Sequence, residues 1–118
     1  MTPALFLSVT FIAGALISFF TGSSWGTFAI CIPIAVPMAY SFTGGQLGTL
    51  VYAAVGAVVS GGLFGDHCSP VSDTSVLSSL GAACDHIDHV RTQLPYALLA
   101  AAVSIILWVV VALVGGAA

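Results

Sequence analysis

Charged side chains are what this sequence has least of. Lysine and glutamate are absent, and the four aspartates and one arginine all lie between Asp66 and Arg91. Only 4% of the residues are charged and 59% are hydrophobic, with a mean hydropathy of +1.17. Such a chain cannot cover itself with a soluble surface, so its solvent is the lipid bilayer. A single arginine is also too little for a basic nucleic-acid-binding surface, which excludes nucleic acid as a partner.

Cysteine is scarce as well, with three residues at Cys31, Cys68 and Cys84. An odd number in an apolar chain argues against a disulfide framework. Cys68 has His67 beside it in the sequence, but adjacent residues rarely present a base to a nucleophile, and nothing suggests an oxyanion hole. We therefore expect neither an enzyme nor a cofactor.

Long apolar segments dominate what remains. Three of them are long enough to span a membrane as helices, at 3–20, 47–64 and 94–117. The stretch 28–42 is also apolar, but Pro33 and Pro37 interrupt it, and at about 15 residues it is short for a crossing. It fits a re-entrant hairpin or a broken helix, and the sequence leaves open whether 3–42 is a hairpin or two crossings. We predict one all-α integral membrane domain over 1–118, with three spanning helices plus this hairpin.

Two polar breaks, 21–27 and 65–75, each follow an apolar segment. Paired interruptions of this kind are typical of discontinuous helices that meet at a binding site near the middle of the bilayer. Between them, small residues recur every four positions, at Ala53, Ala57, Gly61 and Gly65. That spacing allows a neighbouring backbone to approach one helix face closely, although glycine and alanine are common in membrane helices in general.

The second break contains the strongest candidate for a binding site. Asp66, Ser69 and Asp73 are spaced for one helical face, but Pro70 interrupts a regular helix and predicts a short unwound stretch. Carboxylates, hydroxyls and free carbonyls are hard oxygen ligands that suit Na⁺, K⁺, Mg²⁺ or Ca²⁺. The candidate ligands from both breaks are Asp66, Asp73, Ser69, Ser72, Thr74, Ser23, Ser24 and Thr27.

Simpler roles remain open for several of these residues. Ser72 or Asp73 would also serve as the N-cap of a following helix, and each hydroxyl would also bond back to a helix carbonyl. Asp66 has no helix of its own to cap, so it is the stronger functional candidate. Burial favours the protonated form of a carboxylate and a bound cation favours the ionised form, so proton and cation would compete for the same oxygens.

A second polar cluster, CDHIDHVR at 84–91, has two interpretations. Imidazole and thiolate bind zinc, but the spacing matches no closed four-ligand signature. The alternative is a water-facing loop over 85–93, placed on the cytoplasmic side, whose side chains modulate activity with pH. This pH-modulating loop would contain Asp85, His86, Asp88 and His89, with the aspartates pairing with Arg91 or capping a helix.

The order of these motifs resembles one family of membrane transporters. GDHCSPVSDTS at 65–75, GAACDHIDHVRTQLPY at 81–96 and TGSSWGT at 21–27 closely resemble the signature of the NhaC family of sodium/proton antiporters. The resemblance implies a multi-pass protein of the inner membrane that exchanges Na⁺ for H⁺, or for an organic anion in some relatives. Two inverted repeats with broken helices would then meet at the ion, with the candidate ligands of 65–75 facing those of 21–27.

Length is where the chain departs from that family. Family members are several times longer, so the chain resembles only their C-terminal part. It would need the missing N-terminal half, or further copies of itself, to supply the opposing scaffold. The alternatives are a truncated module or assembly subunit that does not transport, and a zinc-binding membrane protein.

Overall fold

The structure is a computed structural model in which residues 1–115 are described. Within that range the chain forms five α-helices and no strand: α1 (Pro3–Thr21), α2 (Ser24–Phe42), α3 (Thr49–Cys68), α4 (Asp73–Gly81) and α5 (His86–Gly115). All except α4 are apolar and have 19 or more residues, which is enough to cross a hydrocarbon core of roughly 30 Å. The all-α membrane fold predicted from the sequence is confirmed.

The second helix differs from the sequence prediction. A short arm over 28–42 was expected, but α2 begins at Ser24 and continues through both prolines to Phe42. The early start follows from Ser23, which caps the helix by accepting a hydrogen bond from the Gly26 amide at 3.2 Å. Proline is tolerated inside membrane helices, so α2 is a second long helix, and the hairpin is replaced by two helices that are each long enough to cross.

Helices α1 and α3 form the centre of the packing. Their contact is made by glycines, because a Cβ on Gly61 would collide with the Phe11 carbonyl oxygen and one on Gly65 with that of Ala15. Gly14 lies against α3 in the same way, with the Val58 carbonyl oxygen 3.3 Å from where its Cβ would be. The predicted small-residue face of α3 is confirmed, since all four of its members are buried.

The last helix begins earlier than the sequence suggested. A loop was predicted over 85–93, but α5 starts at His86. The reason is the Asp85 carboxylate, which caps the helix by accepting hydrogen bonds from the amides of Ile87 at 3.0 Å and Asp88 at 3.2 Å. This correction confirms the capping role that was one of the two options for Asp85. The predicted helix over 94–117 is present as far as residue 115, and its last two residues lie outside the described range.

The two polar breaks lie against each other. The first is only Gly22–Ser23, and the second is Ser69–Ser72, which we call the link. Gly22 has φ +67°, and a Cβ there would be 2.7 Å from the Val71 carbonyl oxygen, so only glycine fits. The Ser69 hydroxyl donates to the Phe19 carbonyl at 2.7 Å. Both predicted interruptions are therefore confirmed, and they meet at one end of the α1–α3 pair.

Candidate cation site

Asp66 lies in the last turn of α3 with only 4% of its surface exposed. Its Oδ1 accepts a hydrogen bond from the Ser72 hydroxyl at 2.6 Å. Its Oδ2 accepts longer bonds from Thr74 Oγ1 at 3.3 Å and Ser24 Oγ at 3.4 Å. We call these four residues the Asp66 cluster. Asp66 was expected in the unwound stretch, but the helix continues past it and only the link is unwound.

Each hydroxyl comes from a different part of the chain. Ser24 is the first residue of α2, Ser72 is the last residue of the link, and Thr74 is in the first turn of α4. The Ser72 and Thr74 hydroxyls also lie 2.8 Å from each other. Each hydroxyl has one hydrogen, so while Ser72 donates to Asp66, Thr74 donates either to Ser72 or to Asp66. Ser72 occupies the N-cap position of α4 but makes no capping hydrogen bond, because its side chain turns to Asp66 instead.

Helix ends contribute to the electrostatics of the cluster. Asp66 is at the C-terminal end of α3, where the helix dipole disfavours negative charge. The N-terminal ends of α2 and α4 both reach the carboxylate through Ser24 and Ser72, and their dipoles favour an anion. Two helix ends that favour negative charge and one that disfavours it therefore meet at Asp66. On balance these dipoles allow the buried position to hold a carboxylate without a basic partner.

Three of the predicted ligands have other hydrogen-bond partners. Ser69 holds the Phe19 carbonyl and accepts from the Val71 amide at 3.3 Å, so it fixes the link. Ser23 caps α2, and the buried Thr27 donates back to the Ser23 carbonyl at 2.9 Å. Capping and bonding to main-chain carbonyls are the alternative roles that the sequence left open for these residues. None of the three hydroxyls donates a hydrogen bond to Asp66.

Asp73 is also outside the Asp66 cluster. Its side chain is exposed, and its Oδ1 accepts from the Thr74 amide at 2.8 Å. The sequence made it the nearest carboxylate partner of Asp66, but the neighbours of Asp66 in the structure are hydroxyls. A role for Asp73 in ion binding stays a prediction without a supporting contact.

Two further buried hydroxyls lie near the cluster: Ser75 belongs to the second polar break and its hydroxyl is one of the hard oxygens there, whereas Ser18 was not predicted. Ser75 Oγ lies 3.5 Å from the Asp66 carbonyl oxygen and 3.4 Å from that of His67. Ser75 follows Ser72 by three positions, a spacing that brings two side chains to the same side of a helical turn. The spacing therefore predicts that Ser75 lies near Ser72. Ser18 is fully buried, and its hydroxyl has no hydrogen-bond partner among residues 1–115. Ser18 lies in the last turn of α1, but its neighbours in the sequence are apolar, so no motif singled it out.

The predicted pH-modulating residues lie at the start of α5. His86 bonds across to other elements: its Nε2 is 2.6 Å from the Pro70 carbonyl oxygen and its Nδ1 is 3.2 Å from Ser79 Oγ. Asp85 caps the helix, while the carbonyls of Asp88 and His89 accept from the Thr92 hydroxyl. Of these four predicted residues, His86 has a side chain that bonds to the link.

The zinc alternative has no geometric support in the described residues. Within 1–115, no group of three histidine, cysteine or acidic side chains is placed to hold a metal ion. Cys68 is buried at the end of α3, whereas Cys84 is exposed and its thiol points to the Ser79 carbonyl oxygen at 3.7 Å.

These features define a multi-pass helical membrane protein with one buried carboxylate among hydroxyls. A family model described as "Na+/H+ antiporter family" matches residues 1–113. The chain therefore belongs to the Na⁺/H⁺ antiporter family, which confirms the resemblance seen in its motifs and places it in the cell membrane. No solved structure matches the chain.

Several curated relatives extend this comparison. A Haemophilus influenzae protein without an assigned function is 51% identical over 92% of this chain and 20% of its own length. The malate-2H(+)/Na(+)-lactate antiporter of Bacillus subtilis is 36% identical over 97% of the chain and 23% of its own length. The Na(+)/H(+) antiporter NhaC of Alkalihalophilus pseudofirmus is 32% identical over 94% and 23%. The named relatives are transporters rather than enzymes, and the chain spans about a fifth of the length of these relatives.

Proposed function

We propose that this chain forms the cation-binding part of a secondary transporter that exchanges Na⁺ for H⁺. The Asp66 carboxylate would bind a proton in one state and Na⁺ in the other. The observation that carries this proposal is a carboxylate that is 4% exposed, with hydroxyls from the start of α2 and from the junction of the link and α4 around it, and with no basic group among its hydrogen-bond partners within residues 1–115. A small hard cation or a proton is the charge partner that such a site accepts.

The lengths of the hydrogen bonds support an exchange of ligands. The bonds from Thr74 and Ser24 to Asp66 are 3.3 and 3.4 Å, beyond the ordinary range for a hydroxyl donor. These two hydroxyls give up little when they rotate to present their lone pairs to a cation. Ser72, at 2.6 Å, would hold the carboxylate in place while they do so. One carboxylate would thus be neutralised by either ion, which is the competition that coupled exchange requires.

The activity would belong to a larger assembly. These relatives are about four times as long as this chain, and alternating access needs a second element against which the site moves. We propose that exchange requires either the remaining segments that these relatives carry or further copies of this chain. The predicted pH modulation by Asp85, His86, Asp88 and His89 is part of the same proposal, with His86 as the member that reaches the link.

Replacement of Asp66 by asparagine tests the proposal. The variant keeps the size of the side chain and its hydrogen bonding but removes the carboxylate that would bind Na⁺ or a proton. In everted vesicles that contain the active assembly, dequenching of a pH-sensitive dye after Na⁺ addition should be abolished. Asp88→Asn, at the exposed start of α5, is the matched control and should retain dequenching. Normal transport by Asp66→Asn, with Asp88→Asn inactive, would place the working site in the 84–91 cluster instead.

A further inference from the structure

We propose that His86 is a positioning residue for the Asp66 cluster: it holds the link and α4 in the arrangement that keeps Ser72 on Asp66. The inference rests on the proposed function where it is tested by transport, whereas its test by the exposure of Cys68 is independent of that function. His86 itself does not touch Asp66. It acts through the link, because Pro70, which it bonds, is two residues before Ser72.

Both nitrogens of the imidazole are used, and on different elements. The Pro70 carbonyl can only accept, so the Nε2 atom 2.6 Å away carries a hydrogen and donates. Nδ1 lies 3.2 Å from Ser79 Oγ, which in turn lies 2.8 Å from the Val76 carbonyl oxygen. The ring therefore connects the first turn of α5 to the link on one side and to the last turns of α4 on the other.

The link has little internal support. Its own backbone hydrogen bond, from the Ser72 amide to the Ser69 carbonyl, is 3.4 Å long, and the Val71 amide reaches the Ser69 hydroxyl at 3.3 Å. Both distances lie beyond the usual range for strong hydrogen bonds. The short bonds that hold the link come from outside: Ser69 to α1 at 2.7 Å, His86 to Pro70 at 2.6 Å, and Ser72 to Asp66 at 2.6 Å. Loss of His86 would leave the half of the link nearer α4 with only the Ser72–Asp66 bond, which His86 would then no longer support.

Helix α4 depends on the same contact. It has nine residues, which is too short to be stable without tertiary packing, and its N-cap side chain is committed to Asp66 rather than to its own first turn. Ser79 is buried near its C-terminal end and is the residue to which His86 bonds. By fixing both Pro70 and Ser79, His86 sets the direction in which α4 leaves the link, and with it the distance from Ser72 and Thr74 to Asp66.

Alkylation of Cys68 gives a structural test that is independent of transport. This thiol is 4% exposed and directly precedes the link, so opening of the link should uncover it. In a Cys31→Ala, Cys84→Ser background in detergent micelles, His86→Ala should raise the rate of reaction with N-ethylmaleimide about tenfold, as expected for the loss of one net hydrogen bond. Thr92→Ala, which loses only bonds within α5, should leave the rate unchanged.

Two isosteric variants separate positioning from simple loss of packing. The amide nitrogen of glutamine can replace Nε2 and reach Pro70, whereas that of asparagine replaces Nδ1 and cannot. His86→Gln should therefore restore protection of Cys68 and His86→Asn should not. In the transport assay, His86→Ala and His86→Asn should raise the half-saturating Na⁺ concentration about tenfold with a smaller effect on the maximal rate, and His86→Gln should stay near wild type.

The outcomes distinguish this inference from the function on which it rests. Unchanged alkylation in His86→Ala, or equal protection by asparagine and glutamine, would overturn the positioning role. If His86→Ala exposes Cys68 while Asp66→Asn transports normally, the anchoring of the link stands and the proposed cation site fails.

Discussion

The glycine contact between α1 and α3 makes a quantitative prediction for Gly65→Ala. A methyl group at this position would meet main-chain atoms of α1: it would collide with the Ala15 carbonyl oxygen and lie 2.8 Å from the Phe19 nitrogen. Backbone atoms cannot rotate away, so the two helices must separate, and overpacking of this kind costs about 3 kcal/mol at the upper end of its range. Alanine regains about 1 kcal/mol of helix propensity, which leaves a net destabilisation of about 2 kcal/mol.

Gly26→Ala is the matched control in α2. Its nearest neighbours would be Ser23 Oγ at 3.5 Å and Ser23 Cβ at 3.8 Å, which are ordinary contacts, so the same substitution should stabilise by about 0.5 kcal/mol. Helicity of the purified chain, followed by circular dichroism as micelles are titrated with a denaturing detergent, measures both variants against wild type. If Gly65→Ala unfolds at the same point as Gly26→Ala or later, the close approach of α1 and α3 does not exist and the reasoning is refuted.

Two further predictions concern the polar side chains. Ser72→Ala removes the shortest bond to the Asp66 carboxylate, and since a hydrogen bond to a charged group contributes about 1.5–3 kcal/mol, the half-saturating Na⁺ concentration of the active assembly should rise at least about tenfold. Ser78→Ala in α4, whose hydroxyl donates only within that helix, should behave as wild type, and equal effects of the two substitutions would argue against the cluster. Replacing Cys68 and Cys84 together with serine should leave transport largely intact, because Na⁺ and H⁺ gain nothing from a thiol. Loss of activity together with a stoichiometrically bound zinc would instead favour the zinc alternative.

Helix existence could be predicted from the sequence, but helix ends could not. The charge-free runs identified α1 and α3 to within a few residues, since length and apolarity alone decide whether a segment spans. The start of α2 was missed because the polar residues of 21–27 suggested a longer break, whereas Ser23 caps a helix that begins at Ser24. Prolines at 33 and 37 suggested an interruption, whereas the helix continues through both. The start of α5 was missed for a related reason: polar residues suggested a loop, although Asp85 is a good N-cap.

The same limit applies to the candidate site. Asp66 and the nearby Ser72 and Thr74 could be selected because they follow one another in a polar break. Ser23, Ser24 and Thr27 were candidates because paired breaks are expected to meet. Which of them contacts Asp66 depends on how α2 lies beside α3, and the contact of Ser24 across 42 positions is encoded in no local pattern. His86 was singled out as a titratable group, but its bond to Pro70 depends on where α5 begins.

The side chain of Ser72 has a consequence for engineering. At a helix start, serine ordinarily stabilises by about 1 kcal/mol through a bond to the backbone, and here that bond is absent. The hydroxyl instead donates to the Asp66 carboxylate of α3. Helix stability and affinity for the proposed cation therefore favour different hydrogen bonds from the same atom. Selection for higher thermal stability would therefore favour the capping hydrogen bond over the bond to Asp66 and weaken the proposed site. The first turn of α4 is therefore a poor place to look for stabilising substitutions, and a good place to look for variants with altered affinity for the proposed cation.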